Sequence, residues 1–134
     1  MKLPQICFSL VLILAFSTIL AAQATAQPPT GRWRGEWTSG STGHHGPMRA
    51  NIRPKSDGTY SARFSGRFFV VIPFTYRVDM VPVYPGSNQL VADKKLGPIL
   101  GSYRMQTHFG SQSMSGQFQA AGDQGSVQMK RTSH

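Results

Sequence analysis

Residues 31–39 read Gly31-Arg32-Trp33-Arg34-Gly35-Glu36-Trp37-Thr38-Ser39. Apolar or small residues alternate here with charged or polar ones. A period of two belongs to a strand, because successive side chains on a pleated backbone point to opposite faces. One face of this strand carries Trp33, Gly35 and Trp37, and the other Arg32, Arg34 and Glu36. A strand with one apolar face is stable only when other strands cover that face.

The same period recurs down the chain and predicts seven further strands. The second is Pro47 to Pro54, with Met48, Ala50 and Ile52 on the apolar face. The third is Thr59 to Phe69, with Tyr60, Ala62, Phe64 and Phe68, and the fourth is Phe74 to Val83, with Phe74, Tyr76, Val78 and Met80. The fifth is Asn88 to Leu96 and the sixth Ile99 to His108. The seventh is Ser113 to Ala120, with Met114, Gly116 and Phe118, and the eighth Gly125 to Arg131, with Val127 and Met129. Turn chemistry separates them, as in Ser56-Asp57-Gly58, because Asp and Gly tolerate the positive φ of tight hairpins. The run Phe68-Phe69-Val70-Val71-Ile72 is apolar on both faces and ends in Pro73. Proline cannot donate to a ladder, so a bend or buried connection is expected between Phe69 and Phe74.

Eight short, evenly spaced strands without a helical period predict an all-β fold, an antiparallel meander. It would close as a small up-and-down barrel or remain a strongly curved sheet. An open sheet or a sandwich also satisfies the pattern.

The N-terminus has a different character. Lys2 precedes an apolar run from Ile6 to Ala22, and small residues follow, with Ala22-Gln23-Ala24 and Ala24-Thr25-Ala26 as small-x-small triplets. That order predicts a secretory signal peptide over 1–26, a linker over 27–30 and a single β domain over 31–134, secreted or periplasmic. Ser9, Ser17 and Thr18 interrupt the run, and a spanning helix wants about 20 apolar residues. The only cysteine, Cys7, lies at the start of the run. Its position argues against lipidation at a cleavage point, and its loss with the leader would leave a domain held by packing and strand pairing alone. Thiolate metal sites and a cysteine nucleophile are then excluded.

The chain holds 14 Lys and Arg against 5 Asp and Glu, a net charge of +9. A charge of that size bears on partners rather than on fold. Period two turns Arg32 and Arg34 outward on the first strand, Arg49 and Arg53 on the second, Arg63 and Arg67 on the third, Arg77 on the fourth and Arg104 on the sixth. Arg34, Arg49, Arg53 and Arg63 are expected to form a basic stripe on neighbouring strands. The planar guanidinium fork suits phosphate, sulfate and carboxylate groups. A solvated face that keeps a small sheet soluble explains the same residues.

The opposite face has its own pattern. Gly35, Ala50, Ala62 and Gly116 each stand between larger inward residues, as in Trp33-Gly35-Trp37. If the strands are aligned, these small residues form one interior layer, which is either a cavity for a small apolar ligand or room filled by bulky neighbours.

Chemistry-bearing motifs are scarce. His44 and His45 are adjacent in a Gly-rich loop, and neighbours on an extended chain point apart, so a turn is the simpler reading than a metal site. No nucleophile elbow occurs, and Glu36 is the sole glutamate, so paired catalytic carboxylates of the glutamate kind are not evident. The tryptophans and arginines of the first strand face opposite ways and cannot share a stacking surface for bases. The expectation is a non-enzymatic binding module without cofactor or metal. It would take an anionic envelope surface or polymer, with no specific nucleic acid and no integral membrane insertion once the leader is cleaved. The alternatives are a carrier of a small apolar ligand and a structural envelope protein.

Two resemblances bear on class and location. The Gly31-x-Trp33 opening resembles that of lipocalin-like and avidin-like barrels, which implies the barrel form of the fold; the disulfides many lipocalins use are missing here. The stretch Trp33 to Ser39, followed by Thr42-Gly43-His44 and Gly46-Pro47, resembles small secreted bacterial β proteins. The similarity extends through Ile72-Pro73-Phe74 and Gly101-Ser102-Tyr103-Arg104-Met105. It implies export and no particular activity.

Overall fold

A computed structural model describes residues 27–68, 71–95, 98, 101–120 and 122–132. The leader predicted over 1–26 lies outside the described residues. Eight strands follow one another: β1 (Gly31–Ser39), β2 (His45–Pro54), β3 (Tyr60–Phe68), β4 (Ile72–Pro82), β5 (Gln89–Lys95), β6 (Ser102–Phe109), β7 (Ser113–Ala120) and β8 (Asp123–Arg131). They form an antiparallel meander, and β8 pairs back onto β1 to close a barrel. Closure pairs both ends of the meander, which would otherwise template aggregation.

The interior follows from the period of two. Trp33, Ile52, Phe64, Met80, Leu90, Met105, Met114 and Val127 fill it, and the flexible methionines occupy the irregular gaps between rings. The single interior layer of small residues does not exist. Gly35 lies between Met48 and Met129, Ala50 between Trp33 and Phe64, Ala62 between Ile52 and Val78, and Gly116 between Thr107 and Val127. A closed barrel must stagger its strands, and the stagger sets each small residue opposite a large one. Gly35 marks a tight approach: a Cβ there would lie 1.8 Å from the backbone oxygen of Gln128. Only glycine lets β1 bend so closely onto β8.

The two ends of the barrel differ. At one end residues 28–30 lie against the barrel. Pro29 is buried, and its carbonyl accepts a hydrogen bond from Trp33 Nε1 at 2.9 Å. Arg131 lies 4.3 Å over the Trp33 ring and donates to the carbonyls of Pro28 and Thr30. At the other end an aromatic series runs Trp37, Phe68, Phe74, Tyr76, Tyr103, with ring centroids 4.4–6.0 Å apart.

The β3–β4 connection sits at this second end and corrects the sequence reading. Strand pairing reaches Phe68↔Ile72 and Arg67↔Pro73, so the break is shorter than predicted. It is not buried: Phe68 is 41% exposed, Ile72 53% and Val71 76%. Pro73 is tolerated because the residues of its parity turn their backbone toward β5, as the Arg77 carbonyl does in accepting from Lys94 Nζ. The ladder to β3 therefore loses no donor.

Between β4 and β5 the wall is a seam. Among the described residues only Val81↔Val91 and Pro82↔Leu90 pair. Continuing that register would set Asp79 opposite Asp93 and Arg77 opposite Lys95 on the outside, and Val78 opposite Lys94 on the inside. Like charges directly opposed destabilise a strand pair, which accounts for the splaying.

Candidate anion-binding face

The outer wall of β8, β1, β2, β3 and β4 gathers the cations into two adjacent rows across the strands. The first row reads Lys130, Arg34, Arg49, Ser65 and Thr75, each the cross-strand partner of the next. The second reads Arg32, Asn51, Arg63 and Arg77. All six cations are exposed. Two pairs of arginines are direct opposites, Arg34 with Arg49 and Arg63 with Arg77. Such like-charged pairs destabilise a sheet by a few tenths of a kcal/mol to about 1 kcal/mol each.

Among the described residues, no carboxylate makes an ion pair with these cations. Among the described residues, Arg32, Arg34, Arg49, Arg63, Arg77 and Lys130 make no ion pair or side-chain hydrogen bond. Most carboxylates are committed elsewhere. Asp79 and Asp57 hold Lys55 at 3.0 and 3.8 Å, and Asp93 holds Arg104 at 2.8 Å. These contacts raise Lys55, chiefly through its hydrogen bond to Asp79, and raise Arg104, chiefly through its bond to Asp93. Asp123 accepts from Ser41 Oγ, and that bond lowers its carboxyl below the usual range. Two carboxylates flank the rows: Glu36, two residues along β1 from Arg34, and Asp79, two residues along β4 from Arg77 and already held by Lys55.

The rows frame a groove of about 430 Å³ lined by Arg32, Arg34, Arg49, Asn51, Arg63 and Ser65. Asn51 and Ser65 are half-buried and form its floor, while the arginines stand at the rim. Neutral amide and hydroxyl groups below, with guanidinium forks above, can hydrogen-bond and neutralise an oxyanion together. A wall so charged is also unlike the apolar band of a membrane-spanning barrel.

Of the four arginines expected in the stripe, Arg34, Arg49 and Arg63 stand in these rows. Arg53 stands apart, in a third row with Ser61 and Asp79. Arg32, Arg77 and Lys130 complete the face and were not in the predicted stripe. Arg32 and Arg77 were readable as outward on the first and fourth strands, whereas Lys130 reaches the face only because β8 closes onto β1.

The residues proposed for an interior cavity are otherwise placed. Trp33 and Trp37 are buried on one face of β1 as expected, and Trp37 Nε1 donates to the Arg67 carbonyl at 3.2 Å. Ala62 has 0% and Ala50 4% of its surface open to water, and Gly116 meets Thr107 Cγ2 at 2.9 Å from a Cβ position. No water-sized void adjoins Ala62, since an internal void would appear as accessible surface. His45 begins β2 and His44 precedes it. No cluster of three metal-ligating side chains occurs among the described residues.

Comparison with models of protein families finds no match, and comparison with curated proteins finds none.

Proposed function

We propose that this chain is an exported, non-enzymatic module that binds an anionic surface or polymer through the outer wall of β8, β1, β2, β3 and β4. One observation carries the reading: six exposed cations stand in two adjacent rows with no ion-pair partner among the described residues, and two arginine pairs oppose each other directly. A face needed only for solubility gains nothing from repulsive pairs, and mixed charges would serve it better. A face that receives an external anion recovers that repulsion on binding. The reading of the N-terminal leader supports an envelope or extracellular setting, where acidic polymers and lipid headgroups are the available anions.

The packed interior lends no comparable support to a carrier of an apolar ligand, because Ala50 and Ala62 have almost no free surface. The test is retention on a sulfonate resin and on cell-envelope preparations at low and physiological salt. The triple variant Arg34→Gln, Arg49→Gln, Arg63→Gln, relieved of the cross-strand repulsion, should melt at or above the wild-type temperature and lose retention. Retention should also weaken as salt rises, since the screening length falls to about 8 Å at 0.15 M. Unchanged retention of a folded triple variant would refute the proposal.

A further inference from the structure

The cation rows have an apolar neighbour. A second groove, lined by Arg49, Ser65, Arg67, Pro73 and Thr75, leads from them to the tip of the β3–β4 hairpin. There Phe68, Val71 and Ile72 are exposed, with the exposed Arg67 beside them. The Phe68 ring is held in place, edge-on to Trp37 at 5.1 Å and tilted on Phe74 at 4.4 Å. Exposed aliphatic and aromatic side chains fixed at a hairpin tip, continuous with uncompensated cations, are the two halves of an interfacial anchor.

We infer that the anionic partner is a lipid bilayer: the β3–β4 tip enters the headgroup–acyl boundary while Arg67 and the cation rows hold anionic headgroups. The inference rests on the wall reading above and goes beyond it in naming the partner. Charge alone would fit a soluble acidic polymer equally well. The apolar tip decides between them, because a hydrated polymer offers no apolar phase to receive Val71 and Ile72, whereas a bilayer offers one next to its phosphates. Among the described residues the other exposed apolar group, Val81, Val83 and Tyr84, lies at the opposite end of the barrel. Lys55 near it is already paired with Asp57 and Asp79, so that end lacks the attraction.

The experiment compares cosedimentation of the purified chain with vesicles of phosphatidylcholine alone and of equal parts phosphatidylcholine and phosphatidylglycerol. Retention on sulfonate resin runs in parallel. The wild type should bind the anionic vesicles and not the neutral ones. The variant Val71→Ser, Ile72→Ser should bind anionic vesicles about tenfold or more weaker, with resin retention unchanged. Brominated acyl chains should quench Trp37 in the wild type, a readout that needs no variant. Resin retention without vesicle binding overturns the lipid inference and leaves the wall reading standing, whereas loss of both overturns both. Equal vesicle binding by wild type and the tip variant, or vesicle binding without quenching, also overturns it. So does a wild-type dimer that the tip variant dissolves, which would assign the tip to a second copy.

Discussion

The hydroxyl of Tyr76 on β4 lies 2.9 Å from that of Tyr103 on β6, and Tyr103 also reaches Met105 Sδ at 3.0 Å. The two phenols meet near the end of the barrel where β4 and β5 do not pair. With Lys94 Nζ on the Arg77 carbonyl at 2.6 Å, they tie the wall together where backbone pairing stops. Burial raises the Tyr103 phenol to about 12, and burial followed by the Tyr103 neighbour raises Tyr76 further.

A pH dependence of stability follows. Unfolded, a phenol loses its proton near its ordinary value of 10.0, whereas folded Tyr103 keeps it to about 12. Between those values the folded state binds more protons than the unfolded state, so stability that is intact below pH 10 falls as pH rises. Urea midpoints measured across that window should drop, and Tyr103→Phe should flatten the drop. An equal slope in that variant would show that the pair does not contribute.

The seam predicts a pattern of amide exchange. Among the described residues, Arg77 and Asp79 turn their backbone toward β5 without strand partners, while Tyr76 and Val78 turn theirs toward β3. Hydrogen exchange should be fast at Arg77 and Asp79 and slow at Tyr76 and Val78. Uniform protection along β4 would mean that the seam closes in solution.

Gly35 and Trp33 should both be intolerant, for different reasons. An alanine at 35 sets a Cβ against the Gln128 carbonyl, and the forced shift should cost about 1–3 kcal/mol. Gly35→Leu should cost more. Trp33→Ala empties a buried site beneath Arg131 and Pro29 and should cost about 3–5 kcal/mol. Denaturant unfolding measures all three, and wild-type stability in Gly35→Leu would contradict the close approach.

The wall should trade stability for binding. Arg34 faces Arg49 on one side and Lys130 on the other. Arg34→Glu converts two repulsive cross-strand pairs into attractive ones and should raise stability by up to about 1 kcal/mol. The same change should weaken retention on sulfonate resin. A variant both less stable and equally well retained would contradict the account of the face.

The pleat made most of the fold legible. Side-chain direction along a strand is a local property, so the eight strands, the buried Trp33 and Trp37 and the outward arginines could all be read from the period of two. The boundaries of β1 and β7 agree with that reading to the residue. Near Pro73 it failed, because which backbone edge lies free depends on the neighbouring strand and not on proline itself.

What the chain could not announce is everything that depends on how strands slide past one another. Barrel closure brought Lys130 beside Arg34, and the stagger put Arg53 in a row with Asp79. The same stagger dispersed Gly35, Ala50, Ala62 and Gly116 among large partners. Period two is fixed by the geometry of a single residue, whereas register is fixed by the closure of the whole sheet. The alternation of residues therefore determined which side chains face water, and only the closed barrel decided which of them stand together.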